Sequence, residues 1–306
     1  MIGAPQEIPA ESGRSAVPFA ARIAAFAVGS ILVGLALLAL WRHRETLDAA
    51  VAALRSPPAW AVAAMPLSVL ASIAIGGLLL KRLLHRHPGL PGGELVALNA
   101  AATLFNLLPL KPGLAARIAW QRRHHGVAVA TSLRASVALV LLSATAVGLA
   151  VGGMLLARAA AVPGSAGLLA LGGLLLVLCR HGRFGLLAEL LWWRLLDLGA
   201  WAVRIAAAFA AIAAPIDADA AIALACVAMA VGAVPVVGAT LGVREWAIAA
   251  LAPLLAGIPW ENALAAELLG RAVEVLVLIP AGLAATWWLW RGFAGEPPST
   301  RRAPAA

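Results

Sequence analysis

Apolar runs broken by short clusters of charge set the pattern of this chain. A helix crosses a bilayer with about 20 apolar residues. Runs near that length are Ala20 to Trp41, Ala59 to Leu80, Ala135 to Ala157, Leu186 to Ala213 and Asn262 to Trp290, and the shorter Leu- and Gly-rich run Ser165 to Leu178 joins them as a further span. Two other regions are apolar but interrupted. Glu94 to Leu110 ends in the sequence Asn106-Leu-Leu-Pro109-Leu-Lys111-Pro112-Gly113. The half-length runs Ala220 to Ala233 and Trp246 to Ile258 flank Val234 to Glu245, where Pro235, Gly238 and Gly242 break the helix and Arg244–Glu245 place charge at the break. Broken backbone at membrane depth is tolerated where protein buries it or where it lines a watery cavity. Both regions therefore read as re-entrant hairpins; the alternative for the second is a polar surface turn between two interfacial helices. The fold class predicted is all-α and polytopic, with six spans and two hairpins.

Basic clusters orient these elements. Lys81, Arg82, His85, Arg86 and His87 precede the first hairpin, and Lys111, Arg117, Arg122, Arg123, His124, His125 and Arg134 follow it. Basic residues favour the cytoplasmic side, so the first hairpin starts and ends there, and Leu114 to Arg134 reads as an amphipathic helix on the inner surface. Arg42 to Ser56 is then an outer loop, Asp217 and Asp219 are external, and both termini are cytoplasmic, as in a bacterial inner-membrane protein. Trp41, Trp60, Trp246 and Trp260 fall at the outer boundary and Trp287, Trp288 and Trp290 at the inner one, as an aromatic belt does. The two hairpins enter from opposite sides, and their breaks are alike: Pro109 to Gly113 to Arg117 against Pro235 to Gly242 to Arg244. Such a pair points to an inverted-repeat transporter with a site near the midplane.

Composition agrees with this class: 63% of the 306 residues are hydrophobic and 12% are charged. The formal charge of +9 sits in the loops and speaks for anionic lipid, not nucleic acid. Residues 1–18 and 293–306 read as disordered tails around one integral membrane domain, 19–292. The first tail lacks the basic start of a signal peptide, so the first helix is expected to be retained. Cys179 and Cys226 lie in or beside apolar runs and read as packing residues.

The candidate chemistry is a set of charges inside the spans. Arg194, Asp197 and Arg204 share one stripe of the fifth span with Trp201, and Glu267, Arg271 and Glu274 share a stripe of the last at i, i+4 and i+7, spaced for pairing. A charge at bilayer depth costs about 2.5–3.5 kcal/mol, so these six belong around a polar cavity or in salt bridges between helices. Guanidinium matches phosphate through paired hydrogen bonds and stays ionised. Arg117, Arg204, Arg244 and Arg271 are thus candidate phosphate-binding residues, with Glu245, Glu267 or Glu274 available to a headgroup amine or a proton. His85, His87, His124, His125 and His181 read as solvated interface residues, and Ser132, Ser136, Ser143 and Thr145 as helix-packing positions. No nucleophile set, phosphate loop, metal spacing or cofactor motif stands out, so neither an enzyme nor a cofactor is expected.

Asn106-x-x-Pro109-x-x-x-Gly113-x-x-x-Arg117, Pro235-x-x-Gly238-x-x-x-Gly242-x-Arg244-Glu245 and the late Arg271 together resemble the flippase-like integral membrane family, that of the transmembrane region of lysylphosphatidylglycerol synthases. The likeness covers about Ala20 to Trp290, and Leu241-Gly-Val-Arg-Glu245 is its most specific part. Gly113–Leu114 stands where the family usually has Gly-Glu, and Ala239-Thr-Leu-Gly242 where it has Gly-Gly-Leu-Gly. The resemblance implies a multi-pass translocator of lipids between leaflets. The synthases' soluble aminoacyl-transferase domain has no room here, so a synthase is not expected. The reading is a translocator whose Arg244, Glu245, Arg271, Glu274, Arg117, Arg204 and Asp197 meet a phosphate-bearing headgroup. The alternative is a non-transporting accessory subunit that docks a lipid-modifying enzyme or glycosyltransferase; a second copy of the chain is a further candidate partner.

Overall fold

The computed structural model describes residues 19–85, 87, 89–108, 112–178, 185–233 and 242–294. Pro109, Lys111, Cys179, Arg180, His181, Arg183, Pro235 and Gly238 lie outside the described residues, as do both predicted tails apart from Phe293–Ala294. The described residues form eleven helices: α1 Phe19–Arg42, α2 Arg44–Ala53, α3 Ala59–Leu83, α4 Gly92–Phe105, α5 Pro112–His125, α6 Val129–Ala159, α7 Gly164–Leu178, α8 Gly185–Ala211, α9 Ala218–Ala233, α10 Val243–Ala256 and α11 Trp260–Ala294. Among the described residues all regular structure is helical.

Helices α3, α6 and α11 are long and apolar enough to cross a bilayer, and the pair α1–α2, bent by 91° at His43, makes a fourth candidate span. These apolar helices mark a membrane-embedded protein. Helix α7 is short for a span at 15 residues. Helix α8 has the length, but Glu189, Arg194, Asp197 and Arg204 interrupt its apolar character.

Helices α3 and α8 form the central pair, and they are antiparallel. Ile75 and Leu79, late in α3, pack with Ala188 and Leu191, early in α8, and Arg82 pairs with Glu189 at 2.7 Å. Helix α4 begins beside the end of α3 and of α11, where Leu95 and Leu98 meet Leu84 and Leu289. Helix α9 begins at the opposite end, just after α8 finishes. Two antiparallel helix pairs, α4–α5 and α9–α10, thus run into the bundle from opposite ends.

The packing repeats. Helices α3 to α6 run long, short, short, long, and α8 to α11 do the same. Within each set the consecutive helices pack together. Between the sets α4 lies on α11 as α9 lies on α6, and α3 touches α11 as α8 touches α6. Exchanging the two sets leaves this pattern unchanged, as a pseudo-two-fold axis requires. A glycine sits at the start of the second arm of each pair. A Cβ on Gly113 would run into the Ala102 carbonyl oxygen, and one on Gly242 (φ +85°) into Leu32 Cβ and the Gly29 carbonyl oxygen. Backbone approaches this close admit no side chain.

Several expectations change. The predicted outer loop Arg42–Ser56 contains α2, whose Ala50 is buried; its charges mark the exposed side of a helix. The predicted surface helix Leu114–Arg134 is two helices, because Gly126 takes φ +65° after α5, and Val129 to Arg134 already belong to α6. The stripe that α5 buries is Gly113, Arg117 and Gln121, so one polar stripe faces protein while Arg122 and Arg123 stay exposed. His125 is no solvated loop residue: its Nε2 lies 2.6 Å from Glu94 Oε1, which also accepts from Trp120 Nε1 at 2.9 Å. Trp246, half-buried, donates to the Leu32 carbonyl at 2.9 Å and stacks on Trp260. At the far end Asp219 accepts from the backbone N–H groups of Gly164 and Ser165 at 2.7 and 2.8 Å. Burial opposes its ionisation, but these bonds outweigh that and hold the carboxyl below its usual range.

Gly113→Ala and Gly242→Ala should each cost about 1–3 kcal/mol from overpacking and lower the melting temperature in detergent. Gly148→Ala, in open space inside α6, should leave it unchanged or slightly higher. Equal melting of all three would rule out the close approaches.

Candidate functional site

Helices α8, α10 and α11 bring eight charges together in the middle of the bundle. On α8 the spacing of Arg194, Asp197, Trp201 and Arg204 aligns them along one face. On α11 Glu267, Arg271 and Glu274 do the same. Glu274 lies fourteen residues into α11, about 21 Å from Trp260 at 1.5 Å per residue, and so deep inside the apolar layer. Helix α10 delivers Arg244 and Glu245 from its first turn, which the positive φ of Gly242 turns inward against α1.

Glu274 is the hub. Its Oε2 accepts from Arg244 Nη1 at 3.1 Å and lies 3.3 Å from Arg271 Nη1 and 3.7 Å from Arg204 Nη1. Arg244 Nε lies 2.6 Å from Glu267 Oε1. Arg271 Nε is 3.8 Å from Glu245 Oε1. Arg194 donates to Asp197 at 2.6 Å and to Ser143 Oγ. The guanidinium of Arg204 lies 3.8 Å over the Trp201 ring, and that of Arg244 is 5.1 Å from the same ring, a cation–π pairing that suits a dry setting. Arg204, Arg244, Glu245, Glu267 and Asp197 are all buried, Glu245 to 1% exposure. Among the described residues Glu245 Oε2, Asp197 Oδ1 and Arg204 Nη2 have no hydrogen-bond partner.

A cavity of about 390 Å³ opens onto this cluster, within the range of small-ligand sites. Arg194, Asp197, Trp201, Arg244, Arg271 and Glu274 form its charged wall. Asn99, Thr103 and Asn106 of α4, with Ser72 and Ser143, form a neutral polar wall, and Gly232 and Ala233 close it from α9. The ends of both helix pairs therefore meet at one polar chamber. Chemically, it offers guanidinium donors, hydroxyls and amides to a small anionic group, beside carboxylates that already hold those guanidiniums.

The structure brings together Asp197, Arg204, Arg244, Glu245, Arg271 and Glu274. Arg117 is elsewhere: it donates to Ser136 Oγ at 2.8 Å and does not line the cavity. Glu267 and Arg271 are not an ion pair, because Glu267 turns to Arg244 on α10. Gly113, Gly242 and Asn106 lie at the inner ends of the helix pairs. Asn99, Thr103 and Ser143 are cavity residues that the sequence analysis left aside or read as packing. Asn99, Thr103 and Asn106 form a polar i, i+4, i+7 stripe in an otherwise apolar run, and that spacing was the available signal. Among the described residues no cluster of His, Cys, Asp or Glu is arranged to hold a metal. Cys226 is buried and free.

Comparisons with family models, with curated proteins and with solved structures find no match to this chain. The likeness to the flippase-like family therefore rests on the motifs quoted above.

Removing one partner of a buried ion pair costs about 3–5 kcal/mol, whereas replacing both with apolar residues is often neutral. Arg244→Ala should accordingly lower the melting temperature sharply. Arg244→Met combined with Glu267→Met should restore much of the loss. A double variant no more stable than Arg244→Ala would show that the pair is not the unit holding α10 to α11.

Proposed function

We propose that this protein is a lipid translocator of a cytoplasmic membrane, moving a phosphate-bearing headgroup between leaflets. In this reading α1, α3, α6, α7, α8 and α11 span the bilayer, and α4–α5 and α9–α10 are re-entrant hairpins of opposite orientation. The observation that carries it is the buried chamber where the ends of both hairpins meet a charged wall containing Arg244 and Arg271. Four arginines at this depth exceed what stability alone calls for, since a buried ion pair can often be replaced by apolar packing without loss. The headgroup would bind at Arg271 and Arg244 while its tails stay in lipid, and the chamber would open to each leaflet by movement of one hairpin and then the other. The resemblance to the flippase-like family points the same way.

A second reading is a non-transporting accessory subunit. Two observations favour it: each of the four guanidiniums already has a carboxylate, and Arg122 and Arg123 are exposed at the end of α5, where a partner enzyme could dock.

Leaflet accessibility of labelled phospholipids in reconstituted liposomes separates the two. Wild-type protein should flip lipids with a phosphate headgroup above empty liposomes. Arg271→Lys keeps the charge but loses the planar fork. It should slow flipping about tenfold or more, since a charge-assisted hydrogen bond contributes about 1.5–3 kcal/mol. No flipping by wild-type protein, with partner binding lost on charge reversal at Arg122 and Arg123, would establish the accessory role instead.

A further inference from the structure

We infer that an anion bound at Arg271 is accompanied by one proton taken up on Glu245, which lies behind Arg271 and off the cavity wall, so that the site takes up a phosphate group and a proton together. This rests on the phosphate reading above and adds the co-ligand. The buried set Arg194, Arg204, Arg244 and Arg271 against Asp197, Glu245, Glu267 and Glu274 sums to zero charge. A phosphate ester entering with one negative charge leaves the site at minus one, at a depth where an uncompensated charge is strongly disfavoured.

The geometry singles out which carboxylate takes the proton. When the Arg271 fork turns to a ligand in the cavity it lines, Asp197 keeps Arg194 at 2.6 Å, Glu267 keeps Arg244 at 2.6 Å, and Glu274 keeps Arg244 and Arg204 at 3.1 and 3.7 Å. Glu245 keeps no such contact. Its one ion-pair neighbour within 4 Å among the described residues is Arg271, its Oε2 has no hydrogen-bond partner, and it is 1% exposed. Deprived of Arg271, it is a buried carboxylate with no ion-pair partner within 4 Å among the described residues, and binding a proton from water returns it to neutral carboxylic acid and the site to zero charge.

Among the described residues no other charged group around Glu245 is free to replace Arg271. Helix α11 offers Glu267 and Glu274, both acidic and both held by arginines. Arg244 on α10 and Arg204 on α8 are engaged with those same glutamates. Helix α9 contributes the Cys226 thiol and, at its far end, Asp219 tied to α7. Helix α1 has no ionisable side chain between Ala27 and Leu40. The coupling is reciprocal: a bound anion raises the proton affinity of Glu245, and acid tightens the anion.

Isothermal titration of the purified full chain in detergent tests this. The probes are diethyl phosphate, with one fixed negative charge, and dihexanoylphosphatidylglycerol, the same diester bearing tails. Runs in two buffers of different ionisation enthalpy count protons. Wild-type protein should take up one proton per probe, and its affinity should weaken about tenfold per unit rise in pH over the range in which that uptake is measured. Glu245→Gln, already neutral, should bind with no proton uptake and no pH slope. Wild-type binding without protons, or unchanged uptake in Glu245→Gln, overturns the inference. If Glu245→Gln does not fold, the wild-type count alone decides. Binding of neither probe overturns the phosphate reading and the inference with it. Proton uptake with both probes bound equally tightly upholds the coupling and overturns only the lipid source of the phosphate.

Discussion

A guanidinium buried in an apolar bundle must be neutralised by its neighbours, and the centre of this protein is built on that requirement. Arg244 meets it with Glu267 and Glu274, and by doing so fixes α10 to α11. Hydrophobic burial cannot do this alone, because between helices in lipid there is little apolar driving force. What holds them is close contact and polar bonding. The central cluster of buried residues is accordingly rich in alanine, which lets backbones approach, and glycines stand where they come closest. The ion network adds direction to that packing, since the bonds of Arg244 and Arg204 to Glu267 and Glu274 each join one particular pair of helices.

The two halves share a plan but not a charge. Ser136 and Ser143 lie seven and fourteen residues past the first residue of α6, and Glu267 and Glu274 lie at those same offsets in α11. Both serines accept from an arginine, Arg117 and Arg194 respectively, and both glutamates pair with Arg244. At matching offsets the partner of an arginine is a hydroxyl in α6 and a carboxylate in α11. One side of the chamber is thus hydroxyl and amide, and the other is ionic. A headgroup passing between them meets hydrogen-bonding groups on one wall and charge on the other, which makes the chamber asymmetric although the scaffold is not.

What could be read from the sequence was whatever one helix carries by itself. The stripes of α8 and α11, the short lengths of α4, α9 and α10, and the break at Gly242 follow from spacing along the chain. Pairings between helices do not. Glu267 has Arg271 one turn away, yet it takes Arg244, because α10 lies against that side of α11 and brings Arg244 to it. Helix α2 was hidden because its charges read as loop, and nothing local shows that Ala50 packs inward. Helix α5 was misread because a polar stripe in a membrane protein has two meanings, toward water or toward a protein interior. Arg117 and Gln121 chose the second, and only the position of Ser132 and Ser136 on α6 reveals it.

A network of zero net charge also constrains how the chamber can work. Every arginine that would greet an anion already has a carboxylate within 4 Å, so a ligand gains mainly the difference between its own bonds and those it displaces. Such a site binds by exchange of partners and releases by the reverse exchange, with no large well to trap the ligand. Glu274, touched by three arginines, can lose one and stay paired. Glu245, touched by one, cannot. The inequality between these two carboxylates gives the network a defined place to yield. A site whose weakest ionic contact lies behind the arginine that lines the cavity is arranged so that the arrival of charge is felt at one residue, rather than spread across all eight.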